Sequence, residues 1–153
     1  MELLTSDIEE IVSSVWGAMF DQSLAVFAGG RWTQGEIVRS HETIHGEATV
    51  TVELDVPVSL ATELTVALLA DDAPPGQAGV LDAIGELCNI VAGNFKVLMG
   101  GAGQLSQPSG VFATSDDQTP ALTAPGLVAL FTCAGRVFAV RVLQSPFELG
   151  EPL

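Results

Sequence analysis

The sequence predicts an α+β fold, in which two long helices and a shorter one pack on a largely antiparallel β-sheet. Residues 6–20 and 80–99 each carry apolar side chains at helical spacing. Between and after these segments, alternating or β-branched runs that are separated by Gly and Pro indicate strands. Strands that follow one another through short turns favour antiparallel pairing, with the helices on one face of the sheet.

Composition limits the classes of partner. The 153 residues fit one domain, 1–153, and 48% of them are hydrophobic, which is enough for a substantial core. Five basic residues face nineteen acidic ones, so the formal net charge is -14. Because such a surface repels phosphate backbones and anionic lipids, nucleic-acid and membrane-surface roles are disfavoured. The charge favours a partner that has a basic patch.

A cytoplasmic location is expected. Residues 1–10 contain acids where a secretory signal needs basic residues, and no run approaches the ~20 apolar residues of a membrane span. Cys88 and Cys133 both lie in apolar patterns, which indicates two buried thiols in a reducing compartment. The tail, 145–153, is expected to be poorly ordered.

The individual elements follow from local patterns. Ser6 and Glu9 have the spacing of a capping box at the start of the first helix. Trp16 and Trp32 are expected in the core. The remaining predictions are β-structure from residue 35, a half-buried strand at 49–56, the shorter helix at 59–70, a strand at 105–113 entered through Pro108, a loop at 114–125, and a hairpin of 127–133 and 136–143 around Ala134-Gly135.

The two long helices match each other without gaps. Residues 6–17 align on residues 82–93, which pairs Ile8 with Ile84, Glu10 with Glu86, Ser13 with Asn89, Val15 with Val91 and Gly17 with Gly93. Helix amphipathicity alone produces partial matches of this kind. Two such helices, each followed by strands, nevertheless predict an internal duplication.

The second long helix has an unusual polar side. On a helical wheel, an apolar stripe contains Leu81, Ile84, Cys88, Val91, Phe95 and Leu98, and it is expected to face the sheet. The opposite side contains Asp82, Glu86, Asn89, Gly93 and Lys96. Asn89 and Gly93 are poor residues for a helix interior, and the glycine leaves a shallow notch that another protein's backbone can approach. The alternative is a solvated face with an incidental asparagine.

The spacing Asp82-x3-Glu86-x2-Asn89 resembles the signature of the CheC, CheX and FliY phosphatases: Asp or Ser, three residues, Glu, two residues, Asn, and a later Pro. The surrounding residues 84–96 are similar to the CheX version. Residues 105–108 resemble the family's downstream strand entry, although eighteen residues separate Asn89 from Pro108 and the family spacing is a few residues longer.

The resemblance implies a cytoplasmic phosphatase that acts on the phospho-aspartate of a CheY-like response regulator. By this resemblance, Glu86 pairs with the regulator's active-site lysine and Asn89 orients the attacking water. Asp82 lies at the rim of the site, and Gly93 and Lys96 belong to the partner-binding face. Magnesium is expected on the regulator and no cofactor on this chain.

The resemblance also implies the number of sites and the assembly. Ser13 stands where a second site needs asparagine, so a CheX type with one working site is expected. CheX-type relatives form dimers by joining sheets, which implies a homodimer. The strands at 126–133 and 136–143 are the candidate edges for that contact.

Two other functions stay open. One is a non-catalytic CheX-like module that docks on a regulator or a flagellar component. The other is a zinc metalloprotease, because residues 41–45 spell HExxH and Glu63 is a conceivable third ligand. However, β-branched Thr43 and Ile44 and the following Gly46 indicate a strand, in which residues four apart lie ~13 Å from each other and do not share a metal.

Overall fold

The computed structural model describes residues 3–27, 35–70, 73–114 and 126–145. In chain order the elements are α1 (Thr5–Phe20), β1 (Ala25–Val26), β2 (Glu36–His45), β3 (Thr49–Pro57), α2 (Val58–Leu69), α3 (Gln77–Leu98), β4 (Gln104–Leu105), β5 (Ser109–Thr114), β6 (Leu127–Cys133) and β7 (Arg136–Ser145). The α+β prediction, with two long helices and a shorter one, is confirmed. Trp32, residues 115–125 of the predicted loop and the tail from residue 146 lie outside the described residues.

The seven strands in the described residues form one sheet. The order is β1-β6-β7-β3-β2-β4, and β5 pairs with the same side of β2 as β4 does, further along the strand. Every recorded strand pair is antiparallel. The β6–β7 turn has positive φ at Ala134 (51°) and Gly135 (77°), the backbone that a two-residue hairpin turn requires. The predicted hairpin is therefore confirmed.

One face of the sheet carries the core. In β3 the helix-facing side chains are those predicted from the alternation, and all four have no solvent exposure: Val50, Val52, Leu54 and Val56. They form one cluster with buried side chains of all three helices, including Trp16 of α1. Within the described ranges, no helix combines the length and the apolar character that a membrane crossing requires.

The other face of the sheet carries cross-strand ion pairs. Arg39 of β2 lies opposite Asp55 of β3 and donates from its Nε to Oδ1 over 2.9 Å. Arg141 of β7 lies opposite Glu53 of β3 and forms a second pair. Burial raises the pKa of Asp55, and the bond and charge of Arg39 oppose that shift. Because a slip of one residue would turn these charges into the core, the pairs help to hold the register of β2 and β7 on β3.

Three local predictions need correction. Helix α1 begins at Thr5, so Ser6 lies inside the helix, and Asp7 rather than Glu9 accepts a bond from the N-cap, the Leu4 N–H, over 2.8 Å. Helix α3 begins at Gln77, three residues before its apolar stripe becomes visible. The strand predicted at 105–113 is divided into β4 and β5 by residues 106–108. The internal duplication stays a prediction.

Candidate functional site

Helix α3 is fixed on the sheet by most of its predicted apolar stripe. Ile84, Cys88, Val91 and Phe95 have no solvent exposure, and Leu81 is half-buried. The prediction that Leu98 faces the sheet is wrong, because this last residue of the helix is exposed. The Cys88 thiol lies 3.6 Å from the carbonyl oxygens of Ser40 in β2 and Val52 in β3. Burial raises the pKa of this thiol to about 12, so it stays protonated and its role is structural. Cys133 is also a free, buried thiol, as predicted.

The polar side of α3 is exposed at two of its five predicted positions, Asp82 and Glu86, and half-buried at the other three, Asn89, Gly93 and Lys96. A Cβ atom added to Gly93 would meet no atom within 4 Å, so the notch next to it is open. Asn89 is half-buried because its side chain lies between the outer side of α3 and strand β2.

The Asn89 side chain contacts Glu42 of β2. With the carboxamide turned so that its nitrogen faces Glu42, the nitrogen lies 3.0 Å from Oε1 and 2.8 Å from Oε2. Both distances are those of N–H···O hydrogen bonds. The amide is therefore held by a residue that is far away in the sequence.

Glu42 is a buried acid on the helix-facing side of β2. Its residue exposure is 0%, and its neighbours on the same face of the strand, Ser40 and Ile44, are equally buried. Burial raises the pKa of Glu42, and the negative charge of Glu86 raises it further. The helical motif did not point to Glu42 as part of this site. An acid at an inward position of an alternating strand was the available signal, because buried acids require a partner.

A β-bulge between β4 and β5, opposite β2, brings Pro108 close to α3. Between the pairs Ile44–Leu105 and His41–Ser109, three residues, 106–108, oppose only two residues of β2, 42–43. Ser106 bonds to Thr43 twice, since its N–H donates to the Thr43 carbonyl over 2.9 Å and its hydroxyl accepts from the Thr43 N–H over 3.0 Å.

The ring of Pro108 packs against α3. A Cβ atom added to Gly85 would lie 3.6 Å from Cβ of Pro108. Gly85 immediately precedes Glu86, so the bulge places Pro108 beside the motif. The contact with Gly85 shows where Pro108 lies. The equivalence of Pro108 to the family's downstream proline stays a prediction.

The HExxH segment does not assemble a helical metal motif. His41 and His45 are exposed residues of strand β2, and they lie on the face opposite to that of Glu42. Glu63, the conceivable third ligand, lies in α2 and pairs with Arg136. No group of three or more His, Cys, Asp or Glu residues that could hold a metal occurs in the part of the chain described. The prediction that these histidines lie on a strand is confirmed.

Fold and site together define a class: an α+β protein in which α3 presents an exposed carboxylate, Glu86, and a carboxamide, Asn89, that is hydrogen-bonded to a buried acid. Cys88 lies on the same helix but is buried, and its raised pKa makes it unsuitable as a nucleophile. The chemistry of the site is that of hydrogen-bonding and charge pairing, which suits the positioning of water or of a partner's charged group.

Comparison with known proteins agrees with this class. The family model for the chemotaxis phosphatase CheX matches residues 42–132. No curated protein sequence matches the chain. Among solved structures, CheX from Desulfovibrio desulfuricans is 16% identical, with a TM-score of 0.70 over 92% of this chain and 98% of that one. CheX from Vibrio vulnificus is 13% identical, with a TM-score of 0.71 over 94% and 100%.

A third similar structure is a CheX–CheY–BeF3–Mg2+ complex from Borrelia burgdorferi, which is 14% identical, with a TM-score of 0.70 over 92% of this chain and 96% of that one. At these identities the likeness establishes the fold. The family-model match covers more than half of the sequence, and this chain belongs to the CheX family of chemotaxis phosphatases.

Proposed function

We propose that this chain is a cytoplasmic phosphatase that hydrolyses the phospho-aspartate of a CheY-like response regulator. Asn89 positions the attacking water, and Glu86 pairs with the lysine in the regulator's active site. One observation supports this assignment best. In a chain of the CheX family, α3 carries an exposed Glu86 and, one turn further along, an Asn89 whose side chain is bonded to Glu42.

The chemistry requires little from the chain beyond position. Water attacks the phosphorus, the bond from phosphorus to the aspartyl oxygen breaks, and its electron pair stays on the aspartate as inorganic phosphate forms. One water proton passes to the phosphate. In this proposal the regulator supplies the magnesium ion and the lysine that stabilise the transition state, so this chain binds no cofactor. Orienting the water in line then contributes the remaining acceleration.

The charges of the described residues are suited to docking. Arg39, Arg136 and Arg141 are each in an ion pair with an Asp or Glu of this chain. Glu86 has no ion pair among the described residues, so its carboxylate is available for a partner's cation. In the proposal Asp82 lies at the rim of the contact, while Gly93 and Lys96 lie on the partner-binding face.

The test of the catalytic role is Asn89→Ala. We expect the acceleration of regulator dephosphorylation to fall about 100-fold, while affinity for the regulator changes little, because the amide acts on the attacking water. Asn94→Ala is the matched control, since Asn94 is an exposed amide of the same helix that donates to the Ile90 carbonyl. If the Asn89 variant binds and dephosphorylates as the wild type does, the chain is a docking module instead.

The test of the docking role is Glu86→Lys. We expect affinity for the regulator to fall at least about tenfold, because a charge of the interfacial pair is reversed. Glu10→Lys changes the net charge equally at an exposed position of α1, so it controls for long-range electrostatics. Equal affinity of the two variants would contradict the role of Glu86.

A homodimer formed by joining sheets is also part of the proposal. The candidate edge 136–143 is wrong, because β7 lies between β6 and β3 inside the sheet. β6 lies next to the two-residue β1, and β5 lies at the other end of the sheet. Either of these two strands offers backbone groups for a contact between copies.

A further inference from the structure

We propose that Glu42 is a positioning residue, whose carboxylate holds the Asn89 carboxamide with its oxygen directed toward the attacking water. The inference rests on the proposed phosphatase function and adds a residue to that site. Glu42 itself does not touch the substrate in this proposal, because it is fully buried beneath α3.

The geometry of the contact determines the orientation of the amide. An ionised carboxylate only accepts hydrogen bonds, so it selects the NH2 group of Asn89 over the oxygen. Its two oxygens lie 3.0 and 2.8 Å from the carboxamide nitrogen. A carboxamide that is bound in this way no longer rotates freely, and its oxygen points away from Glu42. That oxygen is the acceptor which an attacking water needs.

The position of Glu42 indicates a role beyond packing. The other helix-facing residues of β2 include Val38 and Ile44, both without solvent exposure. An apolar residue at position 42 would pack there without the cost of burying a carboxylate. A perturbed acid beneath a candidate site, with a specific partner in that site, is a combination typical of functional residues.

Protonation of Glu42 should reverse the amide. A protonated carboxyl has an O–H donor, which favours the Asn89 oxygen as its partner and leaves the NH2 group outward. The titratable groups near Glu42 on α3 are Glu86 and Cys88, and Cys88 stays protonated. β3 places Val52 opposite Glu42, and residues 106–108 contain no titratable group. Burial is thus the main cause of the raised pKa of Glu42, and Glu86 is the neighbour whose charge adds to it.

This arrangement couples docking to catalysis. The charge of Glu86 raises the pKa of Glu42, and a lysine that pairs with Glu86 offsets that repulsion. Docking of the regulator then favours the ionised form of Glu42, which is the form that directs the Asn89 oxygen outward. In this way the regulator's lysine promotes the orientation of the Asn89 amide that hydrolysis of the regulator's phospho-aspartate requires.

The kinetic test is Glu42→Gln in the full chain, with a phosphorylated regulator. We expect kcat to fall about tenfold, equivalent to the loss of one ordinary hydrogen bond. Affinity for a regulator that carries BeF3 should stay within twofold. After the regulator's own hydrolysis is subtracted, wild-type activity should decline as the pH falls through the pKa of Glu42. The activity of the variant should not show this decline.

The outcomes separate the inference from the function. If the wild type accelerates hydrolysis and Glu42→Gln does so equally, the inference fails and the proposed function stands. If the variant loses affinity and kcat together, Glu42 supports the structure only, and the inference also fails. If the wild type does not accelerate hydrolysis at all, the proposed function fails with it.

A second measurement does not depend on whether Glu42→Gln folds. The side-chain NH2 signals of Asn89, assigned in NMR spectra by comparison with Asn89→Ala, should exchange slowly with solvent and titrate together with the Glu42 carboxyl. In Glu86→Gln this titration should occur at lower pH. Rapid exchange and no titration of the Asn89 signals would overturn the inference.

Discussion

Gly93→Ala should stabilise the chain and weaken its binding to the regulator. A Cβ atom at position 93 meets nothing within 4 Å, so the substitution introduces no clash in the free protein. Replacing a glycine inside a helix by alanine then contributes about 1 kcal/mol to the free energy of unfolding. For a chain of this size the gain corresponds to a rise in Tm of about 2–4 °C.

Binding should change in the opposite direction. If the regulator's backbone approaches the notch at Gly93, the new methyl group occupies space in the interface. Overpacking of this kind costs about 1–3 kcal/mol, which lowers the affinity roughly 5- to 150-fold. Titration with a regulator carrying BeF3, followed by fluorescence or calorimetry, measures this loss.

Gly17→Ala is the matched control. Gly17 lies in α1, is exposed, and its added Cβ also meets nothing within 4 Å. The two variants should therefore gain similar stability, whereas only Gly93→Ala should lose affinity. Equal regulator affinity of the two variants would refute the assignment of Gly93 to the partner-binding face, whatever their Tm values.

The remaining predictions concern pH, the first long helix and assembly. Because the pKa of Glu42 is raised above 4.5 in the folded state, the unfolded state ionises first as the pH rises. The contribution of Glu42 to stability should fall as the pH rises from 4.5 to the folded pKa, and urea unfolding should show a smaller decline over this range in Glu42→Gln than in the wild type. Ser13→Ala should leave dephosphorylation unchanged, and a large loss would reveal a second site. Light scattering at micromolar concentration in moderate salt should report twice the 15.9 kDa of one chain, and a monomer mass would refute the dimer.

Local patterns in the sequence predicted most of the helices and strands correctly. The stripe around Ile84, Cys88 and Val91 identified the buried side of α3, because residues three and four apart share a helix face. The alternation in β3 identified its four buried residues for the corresponding reason in a strand. The errors lie at element ends and at the bulge, where hydrogen bonds such as that from Leu4 to Asp7 decide the boundary.

The motif residues of the candidate site could also be identified from the sequence. Asp82, Glu86 and Asn89 are separated by four and three positions, and helical periodicity alone places residues with this spacing near one another. The exposed Glu86 and the open notch at Gly93 agree with that placement. The spacing did not indicate that Asn89 is half-buried.

The environment of Asn89 depends on tertiary contacts. Local patterns were sufficient for the α+β class, the faces of its helices and strands, and a helix with an acid and an amide on one side, because these depend on residues only a few positions apart. The contact of Asn89 with Glu42, and of Pro108 with Gly85, depends on how α3 lies across β2 and on a bulge between β4 and β5. Periodicity specifies which side of an element is buried, whereas the partner found there depends on register and docking between distant segments.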